Sequence, residues 1–157
     1  MEIYDEHIPD DLFEDFLSCM PQVSVELFLI HNGKVLLAKR RNKPLKGEWF
    51  WPGGRLYKGE KLKNAARRIA REELGIEVKI EKRLGVYCHF WNESPFEKVE
   101  SVHTVNVVFQ VRSNKNIENI ELDEQHEDYR LVSGIEPDLH EYVKRYMIDS
   151  GMFEENE

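Results

Sequence analysis

Two adjacent carboxylates, Glu72 and Glu73, stand late in a segment of helical periodicity and are well placed to do chemistry. Glu73 follows Ile69 by four residues and Ala66 by seven, so on a helix it projects beside the stripe of small and apolar side chains. A carboxylate near a buried face needs a partner. A divalent cation would supply one, because Mg2+ takes a few carboxylate and carbonyl oxygens and completes its shell with substrate phosphate. The Gly53-Gly54 turn upstream permits close backbone approach, so its carbonyls could face the same ion. These residues alone also allow a plainer reading. Arg68 lies one turn before Glu72, and Arg68, Glu72 and Glu73 could form a solvated, salt-bridged helix face.

Other reactive side chains are open in the same way. His126 lies in the run Asp123-Glu124-Gln125-His126-Glu127-Asp128; its type suits a general base at neutral pH, and its setting suits a surface histidine. Arg40 offers a planar fork for phosphate, yet Lys39, Arg41, Lys43 and Lys46 make it part of a generic basic loop. His89 fits either a ligand pocket or the edge of a core.

The elements that must position these groups follow from periodicity. Residues 9–20 place Leu12, Phe13, Phe16, Leu17 and Met20 at helical spacing after an acidic start. Residues 23–31 read as a strand, Asn32-Gly33 as a hairpin turn and 34–39 as the return strand. A basic loop over 40–48 precedes the short aromatic strand Trp49-Phe50-Trp51, which Pro52-Gly53-Gly54 stops. A helix is expected over 59–74, with Gly75 as its C-cap. Strands follow near 76–88 and 101–112, then an acidic loop at 116–128, a short strand at 129–132, a closing helix at 136–149 and an acidic tail at 151–157. Strands, hairpins and three helices make an α/β (α+β) layered domain.

The chain has 157 residues, the size of one domain spanning 1–157. Its net charge of −8 argues against a nonspecific nucleic-acid binder, while leaving room for a small anionic ligand held by local positive charge. The apolar runs fall far short of the ~18 residues of a membrane helix, and the acidic N-terminus lacks the basic region of a signal peptide. Cys19 and Cys88 show no metal-ligand spacing and read as reduced thiols. A cytoplasmic protein without nucleic-acid or membrane partners is expected.

The spacing of Gly54, Glu60, Arg68, Glu72, Glu73, Gly75 and Ile76 resembles the Nudix box, G-x5-E-x7-R-E-U-x-E-E-x-G-U, where U is a bulky aliphatic. Ala70 is small where the pattern asks for bulk, and Ile69 stands where it asks for a glutamate. One branch of that superfamily shows the same loss. The flanking segments Gly47-Glu48-Trp49-Phe50-Trp51-Pro52-Gly53-Gly54-Arg55 and Asp123-Glu124-Gln125-His126-Glu127-Asp128-Tyr129 resemble its GDP-mannose mannosyl hydrolase branch, and the likeness runs from about residue 21 to residue 132.

The resemblance implies an α/β/α sandwich with a mixed sheet between helices. It implies hydrolysis of a GDP-hexose, GDP-mannose before GDP-glucose, to GDP and free sugar, with water attacking the anomeric carbon with inversion. Mg2+, or Mn2+ in its place, would be held by the Gly53 carbonyl, Glu73 and Gln125. Arg40 and Arg55 would contact the diphosphate, and His126 would take the proton from water. Glu26, where the family has an aspartate, is carried over as a catalytic and substrate-binding residue, with His89 and Thr104 facing the substrate. Thr104 stands where the family carries a tyrosine and cannot reproduce a phenol. A homodimer is implied as well. Two alternatives remain: a Nudix pyrophosphatase cleaving at phosphorus, and a Nudix-type module that binds a nucleotide sugar without turnover.

Overall fold

The computed structural model describes residues 1–113, 117 and 126–154, with the backbone alone at 126 and 127. Gln125 therefore lies outside the described residues, as does the end of the acidic tail.

The sheet is built around β1 (Gln22–His31), whose residues from Ser24 to Ile30 are all buried. The turn at Asn32-Gly33, with φ of 51° and 76°, returns the chain into β2 (Lys34–Arg40). Positive φ at both positions is what a tight hairpin of native twist requires. The remaining strands are β3 (Trp49–Phe50), β4 (Gly53–Arg55), β5 (Val78–Trp91), β6 (Val102–Ser113) and β7 (His126–Val132). They form one seven-stranded sheet in the order β3-β2-β1-β6-β5, with β4 paired to β1 and β7 to β2. The β1–β6 ladder is parallel and the others are antiparallel, so the sheet is mixed, as expected.

Alternate residues of β1 feed two cores. Val25, Leu27 and Leu29 pack on Ala65, Ala66, Ile69, Ala70 and Leu74 of helix α2 (Leu62–Leu74). Phe28 and Ile30 turn the other way, onto Trp51, Leu17 of α1 (Asp10–Cys19) and Val143, Tyr146 and Met147 of α3 (Glu141–Asp149). Period-two alternation on a strand buried on both faces thus makes the α/β/α layering. It also sends Glu26, in step with Phe28, to the α3 side.

Several boundaries differ from those expected. Helix α2 begins at Leu62 rather than 59, because Gly59 is left-handed at φ 87° and the Glu60 carboxylate is drawn back to the Tyr57 N–H at 3.2 Å. Its other end is as expected, with Gly75 at φ 66° as a left-handed cap. Gly53-Gly54 does not merely stop a strand: Gly53, Gly54 and Arg55 pair with Glu26, Val25 and Ser24. Helix α3 starts at Glu141, where His140 Nδ1 accepts from the Tyr142 N–H as an N-cap, and not at 136. Leu12 of α1 and Met20 just beyond it face solvent, and Leu17 is the one buried residue of the helix. His126 belongs to β7, since strand pairing with β2 extends to Arg40, and not to a loop. No helix of the described residues is long and apolar enough to cross a membrane.

Candidate functional site

A cavity of about 510 Å3 opens where β1, β2, β4, β5 and β6 meet the C-terminal half of α2. Glu26, Arg40, Gly53, Arg55, Glu73, His89 and Thr104 all line it, together with the aromatic walls Phe50, Trp51 and Trp91. Glu26 and Asn106, 80 positions apart in sequence, are thereby brought to one space. His126 is placed only through its backbone, in register with Arg40 across the β2–β7 ladder.

At one end of the cavity, α2 meets β4. The Gly53 N–H donates to Glu73 Oε2 at 3.0 Å, which anchors a buried carboxylate against the strand. Gly53 also lies against Glu26: a Cβ there would sit 2.7 Å from Glu26 Cγ and 2.9 Å from the Val25 carbonyl oxygen. Only glycine fits that approach. Arg68 binds Glu60 through two hydrogen bonds of 2.7 and 3.0 Å, reaches Glu72 at 3.0 Å and donates to the Arg55 carbonyl at 2.9 Å. Its guanidinium lies 3.7 Å from the Tyr57 ring centroid, and Arg55 lies 4.7 Å from the same ring. Burial by itself would raise the Glu60 pKa; the hydrogen bonds from Arg68 and the Tyr57 N–H and the pull of Arg68 and Arg55 outweigh it and lower the pKa. The salt-bridged reading therefore describes Glu60, Arg68 and Glu72, while Glu73 is held separately at the cavity. Ile69, where the Nudix box asks for an acid, is buried in the core.

The donor chemistry at this end is hard oxygen, from the Glu73 carboxylate, which suits Mg2+ or Mn2+. Among the described residues, no group of three or more His, Cys, Asp or Glu stands together as a metal cluster. A cation here would take few protein ligands and draw the rest from substrate oxygens and water, a habit of Mg2+.

At the other end, β1, β5, β6 and α3 enclose a polar network. Glu26 Oε1 accepts from Asn106 Nδ2 and, at 2.8 Å, from the Tyr146 hydroxyl. Thr104 Oγ1 donates to Asn106 Oδ1 at 2.7 Å, and Tyr146 Oη lies 3.1 Å from His89 Nε2. Burial pushes the Glu26 carboxyl up to about 7, against the opposing hydrogen bonds of Tyr146 and Asn106 and the charge of Arg40. Burial, with repulsion from His140, brings His89 down to about 4, so its imidazole is neutral near pH 7. Burial and the neighbouring Glu26 carboxylate raise the Tyr146 pKa and keep the phenol un-ionised.

Arg40 enters from the end of β2, where its Nε donates to the Pro44 carbonyl at 2.8 Å. The loop behind it closes on itself through Gly47 N–H to Arg40 O at 2.7 Å and Arg40 N–H to Glu48 O at 3.0 Å. Three arginines, Arg40, Arg55 and Arg68, thus line the cavity between the Glu73 end and the Glu26 network.

The NUDIX domain family matches residues 20–149. The chain belongs to the Nudix hydrolase family. Over 140 residues this Nudix hydrolase is 43% identical to the low-salt glycan biosynthesis protein Agl8 of Haloferax volcanii, covering 89% of this chain and 88% of that protein. Over 99 residues it is 35% identical to an ADP-ribose pyrophosphatase of Methanocaldococcus jannaschii, covering 63% of this chain and 55% of that one. Its fold is similar to that of a MutT NUDIX hydrolase from Burkholderia pseudomallei, with a TM-score of 0.69 at 23% identity, over 83% of this chain and 98% of the other. Nudix hydrolases generally use Mg2+ or Mn2+.

Asn106 and Tyr146 are the site's additions to the residues expected from sequence. Asn106 had a signal, a lone amide in the apolar run Val105-Asn106-Val107-Val108-Phe109. Tyr146 had none, since it shares its helix stripe with Val143 and Met147 and differs from core only by one hydroxyl.

Proposed function

We propose that this Nudix hydrolase cleaves a GDP-hexose, with GDP-mannose the first choice, to GDP and free sugar by attack of water on the anomeric carbon. The observation that carries this reading is one cavity lined by Arg40 and Arg55 and by a buried network of Glu26, His89, Thr104 and Asn106. The first suits a diphosphate, and the second suits the hydroxyls of a sugar ring. Similarity to a glycan biosynthesis protein supports a nucleotide sugar as substrate.

In this mechanism Arg40 and Arg55 hold the diphosphate and take up the charge that develops as the carbon–oxygen bond breaks. Gly53, Glu73 and Gln125 would hold Mg2+ or Mn2+, which when bound neutralises diphosphate oxygens as Lewis acid. His126 accepts the proton from water, and the bonding pair leaves with the GDP oxygen. Glu26, His89 and Thr104 orient the sugar. The apolar Ile69 supports attack at carbon, because it removes one acid from the helix face that pyrophosphatases use for metal. A single domain, a homodimeric assembly and a cytoplasmic setting complete the proposal.

Attack at phosphorus is the second reading, favoured by the similarity to an ADP-ribose pyrophosphatase. Chromatography of the products from GDP-mannose and Mg2+ separates the two. GDP and mannose support the proposal; GMP and mannose 1-phosphate support the alternative. A chain that binds GDP-mannose without turnover would be a binding module.

A further inference from the structure

The network at the sugar end has a direction that hydrogen-bond accounting determines. Thr104 Oγ1 donates to Asn106 Oδ1, so the Asn106 amide turns its NH2 toward Glu26. The Tyr146 hydroxyl has one proton and gives it to Glu26 Oε1. With Glu26 ionised, it can therefore meet His89 Nε2, 3.1 Å away, only as an acceptor, which puts the ring proton on Nε2. Nδ1 is then an unprotonated acceptor. It is buried without a hydrogen-bond partner, and its 4.0 Å separation from Glu26 Oε1 is too long for one. The ring is clamped by Tyr142, stacked at 4.0 Å between centroids and 4° between planes. A neutral, fixed, buried imidazole with one unused acceptor lines the cavity.

We propose that Tyr146 is a positioning residue: its hydroxyl holds His89 as the Nε2–H tautomer, so that Nδ1 accepts a hydroxyl from the ligand in the cavity. The hydroxyl belongs to the hexose on the reading above, on which this part of the inference rests. The tautomer does not depend on it. Tyr146 lies on α3, outside the Nudix box, and couples the C-terminal helix to the site through one oxygen.

The test is 15N-resolved NMR of the His89 ring in the unliganded protein near pH 8, with binding of GDP and of GDP-mannose measured in the metal-loaded protein. The expected wild-type spectrum shows protonated Nε2 and unprotonated Nδ1. Tyr146→Phe loses that bias and binds GDP-mannose about tenfold more weakly, the scale of one hydrogen bond, while its affinity for GDP is unchanged. Glu26→Gln keeps the Nε2–H tautomer, because the Asn106 NH2 obliges the carbonyl of the introduced amide to face Tyr146 and accept its proton. An Nδ1–H tautomer in the wild type, an unaltered tautomer in Tyr146→Phe, or equal losses for both ligands would overturn the proposal. Should Tyr146→Phe not fold, the wild-type and Glu26→Gln spectra still decide the direction of the network. Wild-type protein that shows the expected tautomer but does not bind GDP-mannose would refute the substrate and leave the positioning role standing.

Discussion

Glu26 and His89 are shifted in opposite directions by the same burial, and their effects on stability nearly cancel. Glu26 titrates at about 7 instead of 4.5. Between those values the folded chain keeps a proton that the unfolded chain has released, so stability falls as pH rises, by about 3 kcal/mol in all. His89 titrates at about 4 instead of 6.5. Across that window the unfolded chain binds the extra proton, so stability climbs with pH, also by about 3 kcal/mol. Glu26→Gln removes the first effect and keeps an acceptor for Tyr146 and Asn106. Relative to wild type, this variant is expected to gain about 3 kcal/mol between roughly pH 4 and 8, with its curve climbing through the acid range and then level. His89→Gln is expected to show the mirror image. Urea denaturation followed by tryptophan fluorescence, in steps across that range, gives each curve. The lowered pKa values of Glu60 and Glu81 add an acid-range slope to every variant and drop out of the differences. A Glu26→Gln curve parallel to the wild-type curve would refute the reasoning, because it would mean that Glu26 is ionised in the fold as readily as in water.

Gly53→Ala sets a methyl 2.9 Å from the Val25 carbonyl and against Glu26; it is expected to cost roughly 1–3 kcal/mol and to weaken turnover, read by denaturation and by steady-state rate. Arg68→Ala leaves the Glu60 carboxylate, 4% exposed, without its bidentate partner; a loss of about 3 kcal/mol or more is expected, with Arg68→Lys recovering part of it, measured by denaturant midpoint. Chelation by EDTA is expected to abolish turnover and leave the folded midpoint nearly unchanged, with Mg2+ or Mn2+ restoring activity; full activity in EDTA would contradict the metal assignment.

Much of the fold was legible because its cause is local. The Asn32-Gly33 turn, the Gly75 cap and the apolar stripe of α2 are each written in a few neighbouring residues. The elements that were misjudged are those that tertiary partners decide. Gly53-Gly54 reads as a strand stop in sequence and becomes β4 only because Glu26 and Val25 lie opposite. Glu60 reads as helical and is pulled out of the helix by Arg68 and Tyr57. The cavity lining was legible where a residue carries a charge or an unusual neighbour, as at Arg40, Arg55, Glu73 and His89. Tyr146 was not, since the proton that gives it a role points to a residue 120 positions away.

Hydrolysis of GDP-mannose with Mg2+ in oxygen-18 water, read by mass spectrometry, tests the central claim most directly. Attack at carbon predicts label in free mannose and none in GDP. Label in a phosphate product, with GMP and mannose 1-phosphate formed, would contradict the account and assign the cavity to pyrophosphate cleavage.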